Sequence, residues 1–183
     1  MKVKEAVALA AEFVGVGDAL QEHFKAETEE GKVLEKKLLQ CFHVVENEVA
    51  TDFLPLVRED EIKSTTGVVL FSTLTKNAVR ILKVTDEGGE AVKCEIYPQY
   101  FKALPGKLNV RYAYAPEQKN LTGEAEVHSS VSVRLLAYGV ASAYCLNEGL
   151  YEEAAVWEKK YKQAVLAAYK ASPAKVMRSR RWV

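Results

Sequence analysis

The sequence predicts an α+β fold that is mainly helical, with a small antiparallel β-sheet inserted between helical segments. Apolar residues recur at helical spacing before residue 54 and again after residue 129. Between them, the segment 62–115 is rich in β-branched and aromatic residues, which are typical of strands. Charge is also divided unevenly: residues 1–158 hold 17 Lys and Arg against all 25 Asp and Glu, whereas residues 159–183 hold eight Lys and Arg.

Two short helices are predicted at the beginning of the chain. Segment 2–14 has valine and alanine side chains at helical spacing, and the Gly-Val-Gly run at 15–17 should end or kink that helix. Asp18 has the side chain of an N-cap, with Gln21 three residues later as in a capping box. A second helix should therefore follow and end near the charged stretch 27–32, which is interpreted as a loop.

The clearest amphipathic pattern of the first half lies in segment 33–54 and predicts a long helix. Pro55 should end this helix, because proline lacks an amide hydrogen and clashes with the preceding turn. The apolar stripe of the helix comprises Leu34, Leu38, Phe42, Val45, Val49 and Phe53.

Four strand-like runs are predicted within the segment 62–115. They are 68–71, 79–84, 92–97 and 108–114. Gly88-Gly89 and Pro105-Gly106 supply turns. The connections are too short for parallel crossovers, so the sheet should be antiparallel. In the last run the even-numbered residues from Leu108 to Tyr114 share one face, which should point to the core.

A helical hairpin is predicted after the polar segment 116–128. Segments 129–148 and 150–171 each have an apolar stripe at helical spacing. Gly149 lies between them and has the properties of a helix C-cap. So short a link predicts that the two helices pack against each other in antiparallel fashion.

The end of the chain predicts a docking segment. Residues 1–173 are expected to form one domain, and residues 174–183 an extended basic tail that ends in Arg-Arg-Trp-Val. Such charge asymmetry indicates a segment that binds a partner, although cations also favour the C-terminus of any helix. The candidate docking residues are Lys175, Met177, Arg178, Arg180, Arg181 and Trp182.

No pattern in the sequence predicts catalysis, a metal site or a cofactor. Cys41 and His43 are two residues apart on a predicted helix and so point to different sides. Cys145 lies in an apolar stripe, where a buried, inert thiol is the ordinary outcome. Glu46 and Glu48 do not converge and are interpreted as a solvated face. The aromatic side chains of the sheet are interpreted as core, in preference to a platform that stacks nucleic-acid bases.

The order of the elements resembles that of the head–tail connector, or adaptor, proteins of tailed bacteriophages and phage-like particles. The residue-level resemblance covers about 113–183, whereas residues 1–60 have only a general helical similarity. It consists of Tyr114-Ala115-Pro116-Glu117, the small-residue helix around 135–141, the pattern Glu-Glu-Ala-x-x-Trp-x-x-x-Tyr at 152–161, and the basic end Arg178-Ser179-Arg180-Arg181-Trp182.

The resemblance implies a structural protein that forms a ring beneath the portal, extends the DNA channel and docks the neck or tail. Its partners would be the portal protein, neighbouring copies of itself and the next neck or tail protein, while DNA passes through without specific binding. It would be made in the bacterial host cytoplasm and reside in the virion at the head–tail interface. No membrane contact is expected, since no apolar run approaches the roughly 20 residues that span a bilayer.

Two other functions stay open from the sequence alone. The first is a nucleic-acid-binding module that uses the basic tail, whose affinity for DNA would fall steeply with salt. The second is an enzyme, which would require a concave pocket with convergent titratable groups.

Overall fold

The computed structural model describes residues 1–171, and their contacts divide the chain into two compact units. Among the described residues, the helical unit holds residues 1–45, 120–124 and 129–171, and the β unit holds residues 46–119 and 125–128.

Helices and antiparallel strands are both present, which confirms the predicted α+β class. The helices are α1 (Val3–Phe13), α2 (Gly17–Ala26), α3 (Glu29–Glu48), α4 (Val133–Asn147) and α5 (Tyr151–Ala171). The strands are β1 (Leu56–Ser64), β2 (Val68–Leu70), β3 (Ala78–Thr85), β4 (Glu95–Ile96), β5 (Tyr100–Lys102) and β6 (Gly106–Tyr114).

Helix α1 forms as predicted, and a distant segment satisfies its first amide groups. The N–H of Val3 donates to the carbonyl of Gly123 at 3.0 Å, and the N–H of Lys4 donates to the carbonyl of Leu121 at 3.2 Å. The first N–H groups of a helix have no partner within the helix. The segment 120–124 therefore belongs to the helical unit because it caps α1.

The predicted cap at Asp18 is wrong, because Val16 is at the N-cap position and α2 begins at Gly17, two residues earlier than predicted. A side chain at Gly17 would collide with the carboxyl group of Glu12. The same carboxyl group accepts a hydrogen bond from the Gln21 amide at 2.9 Å. Glu12 thus occupies the N-terminal end of α2, where its negative charge is favoured by the helix dipole.

The predicted loop at 27–32 is also wrong over most of its length, because α3 already begins at Glu29. The hydroxyl of Thr28 accepts a hydrogen bond from the N–H of Gly31 at 3.2 Å, as an N-cap side chain does. The backbone of Glu27 is left-handed, with φ of 41°, and separates α2 from α3. Two acidic residues in the first turn of α3 suit the helix dipole.

The end of the predicted helix 33–54 changes its winding. After α3 ends, residues Val49–Phe53 form a π-helical turn before Pro55 ends the segment. The predicted apolar stripe is buried at its centre, at Leu38, Phe42, Val45 and Val49.

The hairpin of α4 and α5 is confirmed with small changes at its beginning. Helix α4 begins at Val133, because the Ser132 side chain accepts a hydrogen bond from the N–H of Leu135 at 3.2 Å. Gly149 has a φ of +78° and ends the helix as predicted. The next N–H, that of Leu150, donates to the carbonyl of Cys145 at 2.8 Å.

The predicted antiparallel insertion is confirmed, and its strands are divided between two sheets of three strands each. In the first sheet β6 lies between β1 and β3, and in the second β5 lies between β2 and β4. The buried core of the β unit comprises Val69, Leu74, Ile81, Val84, Phe101, Leu108, Val110 and Tyr112. The face predicted for Leu108 to Tyr114 is confirmed, with Tyr114 only half-buried.

Strand β1 was missed, so the β segment begins at Leu56 and not at residue 62. Its residues pair with β6 along its whole length, from Leu56 opposite Tyr114 to Ser64 opposite Gly106. Because β1 is an outer strand with mostly exposed side chains, it needs few apolar residues.

The predicted hairpin between 79–84 and 92–97 is only partly present. The turn forms, with the N–H of Gly89 donating to the carbonyl of Asp86 at 3.1 Å. Pairing with β3 stops soon afterwards, and β4 pairs with β5 in the second sheet.

We expect Gly139→Ala to destabilise the protein, although alanine favours a helix over glycine by about 1 kcal/mol. At Gly139 helix α4 lies close to its neighbours, since an added Cβ would lie 2.5 Å from Val45 Cγ1 and 3.0 Å from Tyr161 Cε2. Overpacking costs about 1–3 kcal/mol. Urea denaturation measures the change in the free energy of unfolding. In a protein that already carries Val45→Ala, the nearest clashing atom is absent, so Gly139→Ala should lower the free energy of unfolding by less than it does in the wild type. Equal losses in the two proteins would contradict the prediction.

Candidate docking site

The predicted docking residues lie outside the residues that the structure describes. They are Lys175, Met177, Arg178, Arg180, Arg181 and Trp182, and the predicted extended tail at 174–183 lies outside with them. The structure does describe α5, the helix that leads to this end of the chain. The surface of α5 is therefore the part of the candidate site whose geometry is known.

Helix α5 buries one stripe, as the sequence predicted. Ala154, Tyr161 and Ala168 are at most 6% exposed, and Val165 extends the same buried face. Trp157 is half-buried between this face and solvent. These residues pack α5 against α4 in the helical unit.

A second stripe of α5, here called the outer stripe, is exposed and was missed in the sequence. Tyr151, Leu166 and Tyr169 are 70%, 58% and 64% exposed, and Ala155 lies on the same side. The spacing of these residues places them in one row along the helix. The ion pair between Glu158 and Lys162, at 2.6 Å, lies in the middle of the row. A second helical period in the segment 150–171 would have revealed this surface.

Three stacked aromatic rings hold α1 against the α4–α5 hairpin. Each ring contacts the other two, with centroids 4.9 Å apart for Phe13 and Trp157, 5.3 Å for Phe13 and Tyr138, and 5.8 Å for Tyr138 and Trp157. The ammonium group of Lys160 lies 4.2 Å from the centroid of the Trp157 ring, a cation–π contact. All three rings are half-buried, so the stack is both a packing element and part of the surface.

Glu46 is buried, with 1% of its surface exposed. The interpretation of Glu46 and Glu48 as a solvated face is therefore wrong for Glu46. Its carboxylate Oε1 accepts a hydrogen bond from the N–H of Glu126 at 2.7 Å. Burial raises the pKa of Glu46 to about 7, and the charge of Glu126 adds to this, against the hydrogen bond and the charge of Lys119. A single sequence does not reveal this role, since the partner lies 80 residues away.

The carboxylate of Glu126 connects this buried acid to two lysines. Its Oε1 lies 3.0 Å from Lys119 Nζ and 3.2 Å from Lys76 Nζ, while Oε2 is buried without a hydrogen bond. Burial alone would raise the pKa of Glu126, but the two lysines lower it below its ordinary value. The cluster anchors the short segment 125–128 to the β unit.

A second polar network fastens the loop before β3 to the first sheet. Asp60 accepts hydrogen bonds from the Tyr112 hydroxyl at 2.7 Å and from the N–H of Thr75 at 2.7 Å, and its other oxygen accepts from Arg58 at 2.8 Å. Tyr112 in turn accepts from the N–H of Lys76. Although burial opposes it, these hydrogen bonds hold the pKa of Asp60 well below its usual range.

The remaining candidates for chemistry are structural in the described part of the chain. Cys145 is buried as predicted, and burial raises the pKa of both its thiol and that of Cys41. Tyr112 and Phe101 are fully buried, which confirms that they are core. Over residues 1–171 no three His, Cys, Asp or Glu side chains are grouped closely enough to hold a metal ion.

None of the helices within residues 1–171 combines the length and apolar character that a membrane span requires.

No protein-family model matches the chain, and a search of curated proteins finds no significant similarity.

We expect Glu46→Gln to change the pH dependence of stability. The folded pKa of about 7 exceeds the ordinary value of 4.5, so this group's contribution to wild-type stability is complete below pH 4.5 and is lost as the pH rises through 7. Glutamine stays neutral and keeps the acceptor oxygen. The free energy of unfolding of the variant, relative to wild type, should rise by about 3 kcal/mol between pH 4 and pH 8.

Urea denaturation at several pH values measures this difference. Glu152→Gln, which removes an exposed carboxylate from α5, is the matched control. A Glu46→Gln curve that stays parallel to wild type across the whole range would contradict the assignment.

Proposed function

We propose that this protein is a structural subunit of the head–tail connector type, which forms a ring and docks a portal-like partner through its basic C-terminal end. The observation that carries the proposal is the division of charge. Residues 1–158 have a net charge of −8, whereas residues 159–183 have a net charge of +8 and include no acidic residue. A neutral chain divided in this way has an acidic part and a basic part, and the acidic part of one copy attracts the basic part of another. Contacts between unlike surfaces are therefore favoured.

The outer stripe of α5 supports the same interpretation. Two exposed tyrosines and a leucine lie on the helix that leads to the basic end, and Tyr169 is 64% exposed next to Lys170. Tyrosine, tryptophan and arginine are the residues most enriched at the energetic centres of protein interfaces. The outer stripe and the tail thus offer one continuous stretch of chain with the composition of an interface.

Contact between unlike surfaces also accounts for a ring. When a patch on one copy binds a different patch on the next, the contacts are head-to-tail and close into a ring if the rotation permits. An acidic body further suits a channel for DNA, since negative charge repels phosphate and keeps the duplex from adhering.

The proposal is tested by electron microscopy of particles assembled in the host. We expect the protein as a closed ring between the capsid and the tail. If it is found there as a single copy or a two-fold dimer, the connector function is wrong.

Removal of residues 173–183 should abolish docking and leave the fold intact, because the buried stripe of α5 ends at Ala168. Circular dichroism and thermal unfolding check the fold, and calorimetry checks binding to the portal-like partner.

Trp182→Ala alone should weaken binding by about 2 kcal/mol or more, roughly 30-fold in Kd. Arg180→Ala and Arg181→Ala should each cost about 0–1 kcal/mol, as for solvated ion pairs.

Val183→Ala is the matched control for the tail. Particle assembly at normal yield without residues 173–183 would contradict the role of the tail.

The eight cations after Glu158 also favour a second candidate, a nucleic-acid-binding module. Its signature is DNA affinity that falls steeply with salt, because neutralised phosphates release their counterions. DNA binding of this kind in the wild type, together with normal docking by the truncated chain, would favour the second candidate over the connector.

A further inference from the structure

The first sheet of the β unit has two free edges with different charges. Strands β1 and β3 lie on either side of β6, and each forms one edge. Both are antiparallel to β6, so they run parallel to each other. The edges therefore differ in sequence and in the side chains that they offer to a neighbour.

The β1 edge is acidic at its centre. Glu59 and Glu61 are exposed, whereas Asp60 turns inward and is paired with Arg58 at 2.8 Å. The other cation of the strand, Lys63, lies at its far end. Two exposed carboxylates two residues apart thus point to the same side of the strand.

The β3 edge is basic. Arg80 and Lys83 are exposed, and the strand contains no acidic residue. Within residues 1–171 neither of these cations forms an ion pair, and neither does Glu59 on the opposite edge. Glu59, Arg80 and Lys83 therefore keep their charges without an ion pair inside the described part of the chain, whereas Glu61 interacts electrostatically with Lys107.

Irregular pairing of β3 with β6 decides what kind of contact this edge can make. The register shifts between Ala78 and Arg80 and again between Ile81 and Lys83, which leaves Val79 and Leu82 without a partner in β6. Bulges and charges at an edge discourage a further strand from adding to the sheet. A neighbour is therefore expected to bind this edge through side chains and not through a continuous ladder.

The two bulged residues are also exposed, Val79 by 52% and Leu82 by 42%, and they flank the cations. On the β1 edge Val57 is 43% exposed next to the acidic centre. Each edge thus combines aliphatic surface with charge of one sign.

We propose that the acidic β1 edge of one copy binds the basic β3 edge of the next copy, and that this contact joins the subunits of the ring. The inference rests on the proposed function and names the surface between copies. Two-fold pairing would place like edges together, acid against acid or base against base, and is disfavoured. Pairing of unlike edges is head-to-tail, which is the symmetry that a ring requires.

The experiment compares two charge-reversal variants of the full chain. The first, Glu59→Lys with Glu61→Lys, makes both edges basic, and the second, Arg80→Glu with Lys83→Glu, makes both edges acidic. Sedimentation velocity measures self-association up to about 1 mM protein, where even a contact with a Kd of about 1 mM is detected. Circular dichroism and thermal unfolding confirm that each variant is folded.

We expect the wild type to associate, and to dissociate as salt rises from about 0.1 M to 1 M, since the screening length falls from about 10 Å to 3 Å. Each variant alone should weaken association at least tenfold. An equimolar mixture should restore it, because every contact then joins a basic edge to an acidic one. The chain that carries all four substitutions should also associate.

The outcomes separate this inference from the proposed function. Wild-type chains that stay monomeric, variants that associate normally, or a mixture that fails to recover would each overturn the edge contact. A ring in the particle together with any of these results would leave the connector function in place and assign the contact elsewhere.

As a charge control, Glu152→Lys with Glu153→Lys reverses two exposed acids of α5 and should leave association unchanged.

Discussion

Strand β6 is the constraint on which the β unit depends. It pairs with β1 over nine residues on one side and with β3 on the other, while Leu108, Val110 and Tyr112 on its inner face are at most 3% exposed. A strand that is paired on both sides and buried on one face has a single register that satisfies all of these demands. The Tyr112 hydroxyl, which reaches Asp60, extends this constraint to the loop before β3.

The outer strands are consequently free to carry charge on their exposed side chains, since β6, the second sheet, and Ile81 and Val84 of β3 supply the core. Their exposed faces have little influence on stability, because surface charges contribute little energy. Opposite charge on the two edges has a consequence only when two copies meet. The same reasoning applies to the outer stripe of α5, whose tyrosines are not needed to pack the hairpin. The surfaces that we assign to assembly are thus those that the fold does not require.

Sequence reasoning succeeded where the local pattern and the tertiary environment agree. The hairpin of α4 and α5 was predicted because its apolar stripes and Gly149 are local signals, and both helices bury the predicted sides. It failed at β1, whose charged composition follows from its place at the edge of a sheet. It failed again at Glu46, whose burial follows from contact with Glu126, a residue far away in sequence.

By itself the sequence determined the α+β class, most of the helices, the position of the turns and the division of charge along the chain. These properties follow from spacing, from turn residues and from composition, all of which are local. Only the tertiary structure decided that the strands form two sheets, that β1 and β3 are edges of opposite charge, and that one glutamate of α3 is buried. The physical reason is that strand pairing and desolvation depend on contacts between residues that are distant in sequence, and such contacts produce no periodic pattern in the sequence.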